Sequence, residues 1–178
     1  ILIPHFNDAS GLERSINSIE AQNWTGDLRI VLADDGSCKK EFARVEHLAK
    51  QASCPITLLR DSTNRGRAIT RNRLLEQVEA PYVAWLDAGD LWMPNKLKIQ
   101  FEHISRLRHR GGNLENIWVT CDYYWRWEGK RARSTLQDVN QDQVKGLLMG
   151  SNLRAYLWTI LAPASSFKRI GRFDEELP

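Results

Sequence analysis

Two acidic segments carry the first chemical signal. Asp34-Asp35-Gly36-Ser37 and Asp87-Ala88-Gly89-Asp90 each place two carboxylates within four residues, beside a glycine that permits a tight turn. A third polar segment, Pro4-His5-Phe6-Asn7, lies near the start of the chain. Paired carboxylates repel unless something offsets their charge. A divalent cation shared with phosphate oxygens does so, as do hydrogen bonds from a base or a sugar. Taken singly, each acidic segment also reads as a turn or helix cap, because Asp and Ser side chains accept backbone amides there. Their recurrence at strand ends in one series argues against a purely structural reading of both. Other routes to metal chemistry are poorly supplied. Cys38, Cys54 and Cys121 form no C-x-x-C pair, which argues against a disulfide scaffold or zinc site and for a reducing compartment. The four histidines lack metal-ligand spacing; His47, His103 and His109 read as surface residues and His5 as structural.

The elements that must position these segments read as strands alternating with amphipathic helices. Ile1 to Ile3 opens as a strand already in progress, closed by Pro4. Ser10-Gly11-Leu12-Glu13 has the form of a capping box, followed by Leu12, Ile16 and Ile19 on one helical face. Strands are expected at 28–33, 56–59 and 82–86, with helices at 41–52 and 67–78 between them. Strands spaced by helices of about three turns imply right-handed crossovers and a parallel sheet covered on both faces. In such a sheet, ligands bind beyond the carboxyl ends of the strands, where the three polar segments fall. After Leu86 the pattern changes. A helix is expected over 95–107, then an antiparallel hairpin from 117–127 and 130–136 around Glu128-Gly129, a short helix over 144–149, a strand or irregular segment at 156–161, and Ser165–Arg169 leading into Gly171-Arg172-Phe173-Asp174-Glu175. Trp118, Tyr123, Tyr124, Trp125 and Trp127 crowd the hairpin. Core packing and strand propensity account for most of them, with Trp125 and Trp127 the candidates for stacking on a sugar.

Composition narrows the classes further. The 178 residues fit one domain, and 42% hydrophobic with 26% charged residues is ordinary globular composition. Lys and Arg number 25 against 22 Asp and Glu, and a net charge of +3 is too small to argue for nucleic acid. The densest basic run, Arg106 to Arg110, reads as the solvated end of a helix. No apolar run is long enough to span a membrane. No G-x-G-x-x-G follows the first strand, which disfavours a Rossmann dehydrogenase.

Taken together, Ile3-Pro4-His5-Phe6-Asn7, Ser18-Ile19 with Gln22, Asp34-Asp35-Gly36-Ser37, Asn64-Arg65-Gly66 with Arg71-Asn72, Leu86-Asp87-Ala88-Gly89-Asp90 with Met93-Pro94, and Gly171-Arg172-Phe173-Asp174-Glu175 resemble, in order and spacing, the family 2 glycosyltransferases. The resemblance implies a GT-A fold: a Rossmann-like, mostly parallel sheet with helices on both faces and an antiparallel acceptor-side hairpin. It divides one domain, seemingly clipped at both ends, into a nucleotide-binding half at 1–93 and a partial acceptor-binding half at 94–178. It places Pro4, Phe6 and Asn7 beside the nucleobase, Asp35 as acceptor of a base N–H, and Asn64, Gly66 and Arg71 against the nucleotide. Asp87, Ala88 and Gly89 would face the ribose and diphosphate, with a divalent ion, Mg²⁺ or Mn²⁺, at Asp87 and Asp90.

Two departures stand out. Where the family usually has its metal-binding Asp, this chain has Gly89, so the ion falls to Asp87 or Asp90 or is weakened; and His5 replaces another residue. The implied reaction is a single inverting displacement from a nucleotide sugar, a UDP-sugar favoured, to a sugar or lipid-linked acceptor in bacterial surface polysaccharide synthesis. Its base is expected beyond Pro178, with Asp174 a second candidate that reads better as a loop residue. The implied setting is cytoplasmic, including peripheral contact at the inner face of the membrane. A non-catalytic nucleotide- or partner-binding module and a nucleotidyltransferase remain alternatives, although the latter should show a Gly-rich phosphate loop after strand one.

Overall fold

The structure is a computed structural model that describes residues 1–126, 132–138, 142–149 and 156–176. Three parallel strands form its centre: β1 (Leu2–His5), β2 (Ile30–Asp34) and β3 (Ile56–Arg60), in the order β1-β2-β3. Their register runs from Leu2 opposite Val31 to His5 opposite Asp34, and on to Arg60 opposite Asp34. On the other side of β1, β4 (Tyr82–Ala84) approaches through a parallel bridge between Leu2 and Trp85 and the Leu86 amide donating to the Leu2 carbonyl. β4 then pairs antiparallel with a strand from late in the chain, Leu161–Pro163. The alternating α/β pattern expected from the sequence is therefore present, with one reversed strand at the edge.

Side chains of period two divide the core. Ile3, Ile30, Leu32, Ala84 and Leu86 face one side of the sheet, and Leu2, Val31, Ala33, Val83 and Trp85 the other. The first face is covered by α1 (Ala9–Glu20) through Leu12, Ile16 and Ile19, by α2 (Lys39–Gln51) through Phe42 and Val45, and by α4 (Lys96–His109) through Leu97 and Ile104. The second face takes Leu74 of α3 (Arg67–Glu76), together with Ala164 and Phe167 of a C-terminal helix, Ala164–Ile170.

Several boundaries differ from the sequence reading. α1 is capped by Asp8, whose Oδ1 accepts the Gly11 amide at 2.8 Å, not by Ser10. Ser10 and Glu13 lie inside the helix, and the Ser10 hydroxyl accepts from Arg44. The first-turn amide of Ala9 is satisfied by Glu41 of α2 at 2.9 Å, which ties the two helices together. The hairpin is shorter than expected: β5 (Tyr123–Trp125) pairs with β6 (Arg133–Thr135), while Val119 bridges to Leu161 and extends the main sheet. The Glu128-Gly129 turn lies outside the described residues. α5 (Gln143–Leu148) matches the short helix, and Tyr156–Leu161 resolves into a 3-10 turn, Leu157–Thr159, entering β7 (Leu161–Pro163). The chain then closes on α6 (Ala164–Ile170).

Candidate functional site

The segments at the carboxyl ends of β1, β2 and β4 converge with the loop that starts α3. At the centre, His5 Nδ1 lies 2.9 Å from Asp34 Oδ1, and His5 Nε2 accepts the Asp8 amide at 3.1 Å. That second bond leaves Nδ1 as the proton-bearing nitrogen, donating to Asp34. Asp34 also accepts the Ser37 amide at 3.1 Å. Burial pushes the Asp34 carboxyl up, but the hydrogen bonds from His5 and Ser37 outweigh it and leave Asp34 below the usual carboxylate range. His5 and Asp34 are thus a buried structural pair beneath the site, as read for His5. Asn7, at φ +50°, turns the chain out of β1; its amide nitrogen donates to Ser37 Oγ and its side-chain oxygen accepts the Cys38 amide.

Asp35 closes the next layer. Its two oxygens accept the amides of Arg65, at 2.7 Å, and Gly66, at 3.0 Å. The carboxylate therefore holds the Asn64-Arg65-Gly66 loop against β2, and each oxygen keeps a second lone pair for a further donor. Gly36 allows this approach: at φ +74°, a Cβ there would fall 2.2 Å from the Thr63 carbonyl carbon. Gly66, at φ +94°, then caps α3. Phe6 is 48% exposed and Pro4 half-buried at the adjacent rim, so the phenyl ring offers an uncovered apolar face.

Arg71, one turn into α3, reaches across to β4. Its Nη2 lies 3.5 Å from Asp87 Oδ1, and its Nε is buried without a hydrogen-bond partner. A buried guanidinium N–H with no acceptor is costly, and an anionic oxygen is the partner that suits it. Neighbouring Asn72 receives the Phe173 amide and donates to the Phe173 carbonyl and to Glu175, so α3 anchors the segment after Gly171. Hydrogen bonds from Asn72 and Arg172 hold Glu175 below its ordinary range. Asp174 is exposed and accepts the Glu176 amide, a turn role.

The Asp87–Asp90 turn is held from α1. Ser15, fully buried, accepts the Gly89 amide at 2.9 Å and donates to the Asp90 carbonyl at 2.8 Å. Ser18 accepts the Trp92 amide, and Gln22 donates to the Met93 carbonyl and accepts the Leu97 amide. Ser15, Ser18 and Gln22, spaced three and four apart, form one polar stripe along the helix. The sequence signal was present, since a serine and a glutamine on an otherwise apolar helical face need buried partners; Asp8 and Ser15 were not singled out from it. Gly89 has φ +98°, a conformation other side chains rarely adopt, while a Cβ there would meet nothing closer than Asp8 Oδ2 at 3.4 Å. Backbone conformation, not space, calls for glycine at this position.

Among the described residues, no three metal-ligating side chains converge. Asp87 and Asp90 are the carboxylates of the turn itself. Desolvation by its neighbours and repulsion from Asp87 hold Asp90 above the usual carboxylate range. Asp90, together with Asp87 beside Arg71, suits Mg²⁺ or Mn²⁺ that draws its remaining oxygens from phosphate and water, and does not suit an all-protein cage.

On the acceptor side, Tyr156 and Trp158 stack with ring centroids 4.4 Å apart, and Trp125 meets both edge-on. Trp125 is 38% exposed and Tyr124 64%. Trp118 instead stacks on Phe167, a packing role. Trp127 lies outside the described residues.

A parallel sheet with polar segments converging beyond its carboxyl edge and a reversed edge strand is a GT-A architecture, and comparison with known proteins agrees. The model of the family "Glycosyl transferase family 2" matches residues 1–155, and the chain belongs to that family. It is similar to UDP-Glc:alpha-D-GlcNAc-diphosphoundecaprenol beta-1,3-glucosyltransferase WfgD of Escherichia coli, 30% identical over 119 residues covering 66% of this chain and 46% of the relative. Among solved structures it is similar to S. aureus TarS 1-349 in complex with UDP (TM-score 0.70, 17% identity, 99% of this chain and 50% of that one). It is equally similar to the mannosyltransferase PcManGT from Pyrobaculum calidifontis in complex with GDP-Man and Mn²⁺ (TM-score 0.70, 17% identity, 98% and 47%). The chain spans 25% to 54% of the length of the Rickettsia glycosyltransferases that match it end to end.

Proposed function

We propose that this chain is the donor-binding part, at 1–93, and a portion of the acceptor-binding part, at 94–178, of an enzyme that transfers a sugar from a nucleoside diphosphate to an acceptor hydroxyl with inversion. Uridine diphosphate is the favoured carrier, a sugar or lipid-linked acceptor the partner, and the synthesis of surface polysaccharide at the cytoplasmic face of a membrane the setting. The observation that carries this reading is the buried, unpartnered Nε of Arg71 beside Asp87, at the meeting point of four polar segments. The UDP complex of TarS and the diphosphoundecaprenol acceptor in the name of WfgD support the choice of donor and acceptor class.

In this site Phe6 and Pro4 wall the base. Asp35 and the loop of Asn64 and Gly66 that it fixes face the base and ribose, with Asn7 shaping the rim. Arg71 meets the diphosphate, and the turn from Asp87 through Ala88 and Gly89 to Asp90 lies along it. Asp87 and Asp90 would hold the divalent ion, which supplies charge to the leaving diphosphate when bound. The acceptor oxygen attacks the anomeric carbon as the bond to the diphosphate breaks, and the oxygen loses its proton to a carboxylate base. Trp125 offers an aromatic face to the acceptor.

A thermal-shift comparison of UDP and GDP, each with and without Mn²⁺, tests the reading. Ligand at about 100 times its dissociation constant adds about 2.7 kcal/mol of stability. Stabilisation by UDP that grows with Mn²⁺ supports the proposal; no shift with either nucleotide contradicts it.

A further inference from the structure

We propose that Asp8, just past the carboxyl end of β1, is a ligand of the divalent ion at the donor site and stands in for the side chain that Gly89 lacks. The inference rests on the nucleotide-sugar reading above, and it adds a residue from outside the Asp87–Asp90 turn.

Placement carries it. A Cβ at Gly89 would have Asp8 Oδ2 at 3.4 Å and, among the described residues, no other heavy atom beyond its chain neighbours within 4 Å. A carboxylate oxygen lies about 2.4 Å from its own Cβ. An aspartate at 89 would therefore swing its oxygens into the space that Asp8 Oδ2 borders. Asp8 brings a carboxylate to that space from the neighbouring strand end. Two carboxylates there would repel each other, and the chain has one.

Capping alone does not call for this carboxylate. Asp8 Oδ1 accepts the Gly11 amide at 2.8 Å and so starts α1. That uses one oxygen, and Asn or Ser caps a helix as well as Asp does. The dipole of α1 favours a negative charge at this end, but it asks for no oxygen aimed at Gly89. Among the described residues, Asp8 Oδ2 accepts no hydrogen bond and no cationic side chain lies within ion-pair distance of it. Asp8 is exposed, so that oxygen is open to a ligand.

Both partners are held in place. The Asp8 amide donates to His5 Nε2 at 3.1 Å, and His5 Nδ1 is fixed in turn 2.9 Å from Asp34 Oδ1. Gly11 leaves the carboxylate its room, since a Cβ there would collide with Asp8 Oδ2. On the facing side, Ser15 of the same helix accepts the Gly89 amide at 2.9 Å. His5 and Gly89, the chain's two departures from the family pattern, thus lie on either side of Asp8. One holds its amide and the other opens toward its carboxylate. Mg²⁺ and Mn²⁺ in phosphate sites take one or two protein carboxylates and draw their other oxygens from phosphate and water. Asp8 and one carboxylate of the turn meet that number without a third converging.

Asp8→Asn is the test, because the amide oxygen still caps α1 while the anionic oxygen is gone. Asp8→Ser, a second capping residue, repeats it with a different shape. Isothermal titration of the full chain with UDP, with and without Mn²⁺, gives the gain in affinity due to the ion, and urea denaturation gives the stability. Both variants should lose about tenfold or more of that gain. Their metal-free UDP affinity should stay within about twofold of wild type, with the urea midpoint nearly unchanged. Electron paramagnetic resonance should show Mn²⁺ bound to wild type with UDP and free in Asp8→Asn at the same concentrations. A full Mn²⁺ gain in both variants would overturn the proposal. So would a metal-free affinity that falls as far as the Mn²⁺-assisted one, the result of a merely structural role. Wild type that binds UDP with no gain from Mn²⁺ would also overturn it and leave the donor-site reading intact. No UDP binding by wild type under either condition would defeat that reading, and this proposal with it.

Discussion

Ser15→Ala separates the positioning of the donor turn from the stability of the fold. The hydroxyl is fully buried and bridges two backbone groups of one turn, the Gly89 amide at 2.9 Å and the Asp90 carbonyl at 2.8 Å. Its removal loses two hydrogen bonds worth about 1 kcal/mol each and leaves a donor and an acceptor in a half-buried turn. Partial access of water to Gly89 moderates the penalty, so the global loss should be about 2 kcal/mol. The turn that carries Asp87 and Asp90 is also freed from α1, and UDP affinity with Mn²⁺ should fall about tenfold beyond any change without the ion. Ser18→Ala is the comparison. It loses the bond to the Trp92 amide at 3.1 Å, further from the carboxylates, and the hydroxyl's donation to the Ser15 carbonyl within α1 at 2.7 Å. It should cost about 1–2 kcal/mol of stability and leave affinity within about twofold. Urea denaturation gives the stabilities and isothermal titration the affinities. Equal losses of Mn²⁺-assisted affinity in both variants, or none in Ser15→Ala, would refute the positioning role.

Arg71→Met should weaken UDP binding by roughly 10- to 100-fold, the scale of a lost charge-assisted hydrogen bond, with Arg71→Lys recovering only part because it lacks the planar fork; titration calorimetry decides. Asp34→Asn should cost about 1.5–3 kcal/mol, since the Ser37 amide then meets an amide nitrogen. Because the Asp34 carboxyl titrates below its unfolded value of 3.8, its contribution is present above that pH and lost as pH falls further, so acid-unfolding curves of wild type and Asp34→Asn should converge in that acid window. Asp90 must lose its proton to hold a cation, and its carboxyl sits above the usual range. Mn²⁺-assisted UDP binding should therefore fade on acidification earlier than an ordinary Asp would dictate, and Asp90→Asn should abolish that pH dependence.

Much of this was legible in the residues because the signals were local and periodic. Alternating strands and apolar helical faces fixed the α/β architecture, and the acidic segments fell at the strand ends that converge. What escaped involved partners distant in sequence. Asp8 outcompetes Ser10 as the cap because it stands three residues before Gly11 at the end of β1. The family resemblance sets Asp35 against a base, and nothing local in the sequence shows that its oxygens hold Arg65 and Gly66, thirty residues on. The hairpin is shorter than strand propensity over 117–127 suggests, because Val119 finds its partner in Leu161, a pairing that no short-range pattern encodes. Tyr156 and Trp158 join Trp125 only through the fold.

The most direct test of the donor site is an amide-resolved nuclear magnetic resonance titration of the isotopically labelled chain with UDP and Mg²⁺. The largest shifts should fall at Phe6 and Asn7, at Asp35 to Ser37, at Arg65 and Gly66, and at Asp87 to Asp90, with the Arg71 Nε–H resonance moving as it gains a phosphate partner. Shifts confined to the hairpin or to α4, or saturating UDP that leaves Gly66, Gly89 and the Arg71 side chain unmoved, would contradict it.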